Sequence, residues 1–399
     1  MSSEITIAGG GVAGLVAAIA CAEGGAPVRL LEVHERLGGR GRSTEPPFVA
    51  NFGPHVLYAN GALWRFLRER ELLPPVARPP LGGIFFRAGG RRRRTPPLAF
   101  TRAVLRLWRV REAPDDVPFR AWVAARCGDD AAELLSRACG VFAFHHDPGE
   151  LAASFVWARF RQAFLDLPPR ARYVRGGWSE LVAALERGAR ERGVRIETGA
   201  RVRELSEAGP GPAIVATELR DARELLGDET LAWPSGRTVA LDLGLTGRRA
   251  PFVVWDLDEA GWVETYSLPD PSLAPDGHAL VQAQMPLRPD ESADDGERRL
   301  EALLDAGFAG EGWRERVAFR RRQLLDGRSG ALDPVGTTWR DRPAIDRGDG
   351  VYLCGDSVAA PGLLSDPAVT SALEAARLTL AEGRIVVSGQ DAGSVAYQR

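Results

Sequence analysis

Hydrophobic positions set the first frame of the chain. Residues 4–8 (EITIA) read as a short strand, the glycine-rich stretch GGGVAG follows, and an alanine-rich helical pattern runs to about Glu23. A second strand-like run, PVRLLE, occupies 27–32, so strand, glycine turn, helix and strand fit within about 30 residues as one βαβ unit. Helical periodicity returns at 61–71. From 80 to 170 the grammar changes to a Pro/Gly/Arg-rich hairpin (GGIFFRAGGRRRRTPP) and then helical patterns rich in Trp, Phe, Leu and Arg. Residues 173–205 predict a loop, an amphipathic helix and two short strands, and 213–217 (AIVAT) a further strand. Alternating strand-like runs broken by acidic loops fill 236–338. A strand at 351–355 (VYLCG) and a helix from about Pro367 to Glu382 close the pattern, and beyond Gly383 no signal is legible. The expected class is α/β, α+β overall. A discontinuous Rossmann-like domain is formed by 1–79, 172–235 and 339–399, with an inserted domain of mixed sheet plus helices at 80–171 and 236–338.

Composition narrows the chemistry. The chain has 399 residues and a formal net charge of −2, which provides no whole-protein field for nucleic acid. It contains no lysine, so every strong base is arginine and lysine Schiff-base chemistry is ruled out. Cys21, Cys127, Cys139 and Cys354 form no C-x-x-C pair and match no zinc spacing, which suits reduced cytoplasmic thiols. No apolar run reaches the roughly 18 residues that span a bilayer. The expectation is a soluble, cytoplasmic protein.

Gly9-x-Gly11-x-x-Gly14 sits between the first strand and helix. Gly9 allows the tight turn, Gly11 lets backbone approach a pyrophosphate, and Gly14 lets helix and sheet pack closely. Val12 and Ala13 open the helix whose free N–H groups face the phosphates. Glu32 ends the second strand, where a carboxylate accepts ribose hydrogen bonds.

The next residues, Gly38-Gly39-Arg40, complete an L-E-x-x-x-x-x-G-G-R stretch from Leu31. Here the chain resembles the FAD-dependent superfamily of amine oxidases, protoporphyrinogen oxidases and phytoene (carotenoid) desaturases. Asn51-Phe52-Gly53-Pro54-His55 is similar to the segment that runs beside the flavin in that family, with Asn51 in place of its aspartate. Arg175-Gly176-Gly177-Trp178 resembles its G-G-x-x-x-L segment, and Val202 falls where backbone meets adenine. Gly355-Asp356 resembles the G-D pair whose acid binds the ribityl chain, and the final helix, with Asp366 as its N-cap and Val369 in its first turn, is aimed at the flavin pyrimidine. The resemblance implies noncovalent FAD, because residues 310–350 hold no cysteine for covalent attachment.

Within the superfamily, the lysine of amine oxidases is missing and the position of one cage tyrosine falls on Ala368. The desaturase-like branch remains, with Pro361, Gly362, Leu363 and Leu364 as an apolar wall for a lipophilic, isoprenoid-like substrate giving hydride to flavin N5. Oxidation of a C–N bond or a porphyrinogen-like ring, or non-redox isomerisation, are the alternatives. No second G-x-G-x-x-G follows a strand, so electrons are expected to leave to oxygen or a quinone rather than arrive from a nicotinamide. His55 is the candidate for proton transfer, against a role that only hydrogen-bonds a carbonyl or backbone group. His145-His146 has no third ligand near in sequence, so no metal is expected. Arg91–Arg94 reads as a solvated hairpin edge, or with the stretch that follows as a basic patch for peripheral contact with an anionic membrane.

Overall fold

The computed structural model describes residues 3–166 and 169–391. A five-stranded parallel sheet orders its strands Val351–Leu353, Ala213–Val215, Ile5–Ala8, Val28–Leu31 and Arg195–Glu197. Ile5 and Ile7 are buried although neighbouring in alternation with buried Thr6 and Ala8, the continuous burial of a parallel strand covered on both faces. The helix Val12–Glu23 packs on this sheet between the helices Asp366–Asp391 and Trp178–Glu191. Its alanines explain the close approach: Ala17 and Ala18 are fully buried and present almost no side chain to keep neighbours apart.

A second, seven-stranded sheet runs Val317–Ala331, Ser235–Thr246, His278–Pro286, Trp262–Thr265, Val253–Asp256, Ile84–Ala88 and Arg91–Arg93. The helix Ala293–Phe308 covers one face, burying Leu300, Leu303 and Leu304. Helices between Leu98 and Phe160 build a separate aromatic core with Trp122, Trp157, Phe160 and Trp255. A small sheet of Leu57–Tyr58, Ala171–Val174 and Val76–Ala77 lies where the chain passes between the two regions.

Three local expectations change. Residues 201–203 form no strand, and the short 3-10 helix Leu205–Ala208 follows them. The final helix runs on to Asp391. Asp366 does not cap its own helix: its Oδ1 accepts from the Ala62 amide at 2.7 Å and so caps the helix Ala62–Glu69 instead. The arginine hairpin is tied down locally, with Arg92 bonded to the Gly307 carbonyl and set over the Phe85 ring, and Arg93 bonded to the Ala88 carbonyl. On the neighbouring helix Leu98–Leu107, Phe100, Ala103 and Leu107 turn inward while Leu98 and Leu105 remain exposed.

Candidate dinucleotide and substrate cavity

One cavity of about 1750 Å³ runs from the glycine turn of the parallel sheet to the aromatic core beside the second sheet. At its first end, Gly9, Gly11, Val12 and Ala13 form the wall. Gly9 adopts φ +110°, and a Cβ there would stand 2.8 Å from the Ala216 carbonyl oxygen, so only glycine fits the turn. Gly11 has no protein atom within 4 Å of the place a Cβ would take and looks onto open cavity. No side chain caps the helix that starts here, which leaves its first N–H groups for an anion. Glu32 is buried on the same wall, with Oε2 accepting from the Gly10 amide at 2.7 Å and Oε1 from the His34 amide at 2.9 Å. Those two bonds fix the carboxylate's orientation toward the space that Ala200 to Arg203, including Val202, close on the far side.

Further along, Arg40 and Asp356 face each other across the cavity wall. Arg40 Nη1 lies 2.7 Å from Asp356 Oδ2 and Nη2 lies 2.9 Å from Oδ1. Burial alone would raise the Asp356 carboxyl, but the Arg40 charge and hydrogen bonds outweigh it and hold the carboxyl below its ordinary value. Two residues expected to meet different parts of a cofactor are thus first partners of one another, and they tie the Gly38-Gly39-Arg40 turn to the end of the strand Val351–Leu353.

Gly53, Pro54 and His55 line the same wall. Beneath them, Arg321 donates to the Asn51 carbonyl at 2.7 Å and to buried Asp242 at 2.6 Å. The Asn51 side chain accepts from Ser43 Oγ at 2.9 Å and from the Trp178 amide at 3.0 Å. An amide oxygen is all these donors need, which accounts for Asn51 at a position where the resembling family carries a carboxylate. His55 Nε2 is 2.7 Å from the Arg40 carbonyl, so this nitrogen carries the proton, and the ring stacks on Trp178 at 4.4 Å. Burial pushes the imidazole down to about 4, against the pull of the Arg40 carbonyl. Trp178 lines this wall, while its indole N–H is buried and has no hydrogen-bond partner.

The far end is aromatic. Phe164 stacks on Trp255 at 3.9 Å, Phe142 meets Phe164 at 5.1 Å, and Trp262 lies 5.8 Å from Trp255. These rings share the lining with Tyr173, Tyr266 and buried Glu264. Glu264 accepts from the Tyr173 hydroxyl and, at 3.0 Å, from the Trp262 indole; burial raises its carboxyl despite those bonds.

Residues 7–70 match the model of the NAD(P)-binding Rossmann-like domain. A search of the curated proteins finds no match. Among solved structures, cyclohexylamine oxidase from Brevibacterium oxydans IH-35A is 15% identical over 96% of this chain and 99% of its own, with a TM-score of 0.69. Putrescine oxidase bound to putrescine is 14% identical over 97% and 99%, at 0.72. Reduced UDP-galactopyranose mutase is 14% identical over 96% and 98%, at 0.66. The chain shares the fold of these three structures. Within this fold the expected residues are spread unevenly. Gly9, Gly11, Val12, Ala13, Glu32, Gly38, Gly39, Arg40, Gly53, Pro54, His55, Val202, Gly355 and Asp356 line the cavity together. Gly14 and Val369 are buried in the core behind the wall.

Of the expected aliphatic wall, Leu364 lines the cavity and Pro361, Gly362 and Leu363 do not; the chamber is aromatic instead. The His145 and His146 rings lie 4.5 Å apart and tilted to one another, with His145 Nδ1 accepting from the Asp147 amide. The described residues hold no cluster of metal-ligating groups, and none of their helices is long and apolar enough to cross a membrane. Cys21, Cys139 and Cys354 are buried and all four cysteines are free. Sequence reasoning missed Glu264, Tyr173 and Tyr266 altogether. The alternation of Trp262 and Glu264 on one strand is the signal that was available, since period-2 positions share a face.

Proposed function

We propose that this protein is an FAD-dependent oxidoreductase that dehydrogenates or desaturates a lipophilic small molecule. The observation that carries the reading is the single cavity that joins a glycine-lined dinucleotide cradle to an aromatic chamber past Gly53–His55. The donor set fits the cofactor. Uncapped amides after Gly11 and the open space above it suit a pyrophosphate, and the fixed Glu32 carboxylate suits a ribose. Arg40 and Asp356 would hold the chain between them. FAD, when bound, supplies a two-electron acceptor for hydride. The aromatic chamber excludes water and takes an apolar substrate by area burial, about 25 cal/mol per Å². Electrons then pass to oxygen or a quinone.

Oxidation at a C–N bond is the second reading, favoured by Glu264 with its tyrosines, a carboxylate set among rings. Purified protein is expected to be yellow and to release intact FAD on acid or heat treatment. Anaerobic addition of the true substrate should bleach the flavin band. Colourless protein that FAD cannot reconstitute sinks the proposal.

His55 is assigned a positioning role. Its Nε2–H is committed to the Arg40 carbonyl and its low basicity keeps it neutral at pH 7. Losing one such bond, worth about 1 kcal/mol, slows a reaction roughly fivefold. His55→Gln should therefore slow substrate-driven flavin bleaching by less than about tenfold and leave its pH profile unchanged. A slowing of about 10²-fold or more, with loss of a pH limb, would return His55 to proton transfer.

A further inference from the structure

The helix Ala153–Phe160 ends beside the cavity and brings Arg159 to its wall. Arg159 is 7% exposed, and its hydrogen bonding is confined to its own helix: Nη1 reaches the Phe155 carbonyl at 3.2 Å, and the guanidinium lies 3.5 Å over the Phe155 ring. No carboxylate among the described residues pairs with it. The acid that acts on it electrostatically, Asp333, is already taken: Arg342 grips that carboxylate through Nε and Nη2, both at 2.9 Å, with both residues buried. Two guanidiniums thus share one carboxylate, and the surplus positive charge sits at the cavity wall.

Burial pushes the Arg159 guanidinium down to about 9; Asp333 opposes this and Arg342 adds to it. A buried cation without a counter-ion is costly, and removing it is often neutral or stabilising. One turn further, the helix widens into a π-helical turn at Arg161–Leu165, which carries Ala163 and Phe164 onto the aromatic chamber. Widened turns of this kind recur at functional sites.

We propose that Arg159 is the recognition residue for a carboxylate on the substrate, so that the substrate is a lipophilic acid rather than a neutral hydrocarbon. That this ligand is a substrate rests on the flavoenzyme reading; the anion site does not. A carboxylate suits a single free guanidinium fork, which meets it with two parallel N–H bonds. The cofactor's phosphates are the other source of negative charge, but their cradle is bounded by Gly11 and Gly39, whereas Arg159 lies over the Phe155 ring, one helical turn before Ala163 and Phe164 of the aromatic chamber.

The test is calorimetric titration of the FAD-loaded protein with a series of phenylalkanoates and their matched amides, at pH 7. Wild type should prefer acid over amide on the order of 10- to 100-fold, the size of a buried charge-assisted hydrogen-bond pair. Arg159→Met should bind both alike, with amide affinity and FAD content as in wild type and a urea midpoint equal or higher. Arg159→Lys should keep part of the preference. Three results overturn the proposal. They are equal binding of acid and amide by wild type, a preference that survives in Arg159→Met, and loss of FAD from Arg159→Met, which would move the anion to the cofactor phosphates. If Arg159→Met does not fold, the cation is structural and the proposal also fails, unless wild type and Arg159→Lys show the graded preference. Colourless protein would overturn the flavin reading alone, since heat is released on binding with or without flavin.

Discussion

Gly14→Ala is expected to lower the urea midpoint steeply, while Gly11→Ala keeps a wild-type midpoint and loses FAD affinity. The two glycines belong to one motif but face opposite ways. A Cβ on Gly14 would stand 1.9 Å from the Gly9 carbonyl oxygen and 3.1 Å from its carbon, both backbone atoms of the turn. No rotamer relieves that contact, so helix and strand must separate. Overpacking of this kind costs typically 1–3 kcal/mol and more where backbone must move, so ~3 kcal/mol or more is expected here. Gly11, with φ −76° and ψ −176°, has a conformation any residue adopts, and its Cβ would meet open space. The methyl group would instead occupy the cradle and push a pyrophosphate away from the helix amides. An unchanged midpoint in Gly14→Ala, or unchanged FAD affinity in Gly11→Ala, would show that the assignment of the two faces is wrong.

Asp333→Ala should be the most destabilising substitution outside the dinucleotide fold. It removes the carboxylate that Arg342 grips at two points and strands two buried guanidiniums, Arg342 and Arg159. Breaking a buried pair from one side costs about 3–5 kcal/mol, because the remaining charge is left desolvated. The pair replaced as a whole behaves differently: Asp333→Leu with Arg342→Met should lose clearly less than Asp333→Ala alone. Denaturant midpoints of the single and double variants decide this. A loss below about 1 kcal/mol in Asp333→Ala would mean that solvent reaches the site and the charges are not buried together.

The dinucleotide end was legible because its information is local. Gly9, Gly11 and Gly14 lie between a strand and helix that hydrophobic pattern alone defines, and Glu32 and Arg40 follow within the same stretch. The substrate end was not, since its parts are unremarkable one at a time. Tyr173 and Glu264 are 91 positions apart and meet only after the sheets form. Arg159 reads in sequence as one arginine among many on an amphipathic helix. Its meaning comes from what Asp333 is already doing, which no local pattern contains. Asp366 shows the opposite failure, a sound local rule overridden when a neighbouring helix offers its own free amides to the carboxylate.

The strand order of the parallel sheet has a consequence for synthesis. Ile5–Ala8 emerges early and pairs on one edge with Val28–Leu31, but its other edge waits for Ala213–Val215, and that strand in turn for Val351–Leu353. At roughly 5–20 residues per second, the first wait lasts on the order of 10–40 s on the ribosome. Through that interval the nascent chain presents an unpaired parallel edge flanked by apolar side chains, the kind of surface that chaperones shield and that otherwise aggregates.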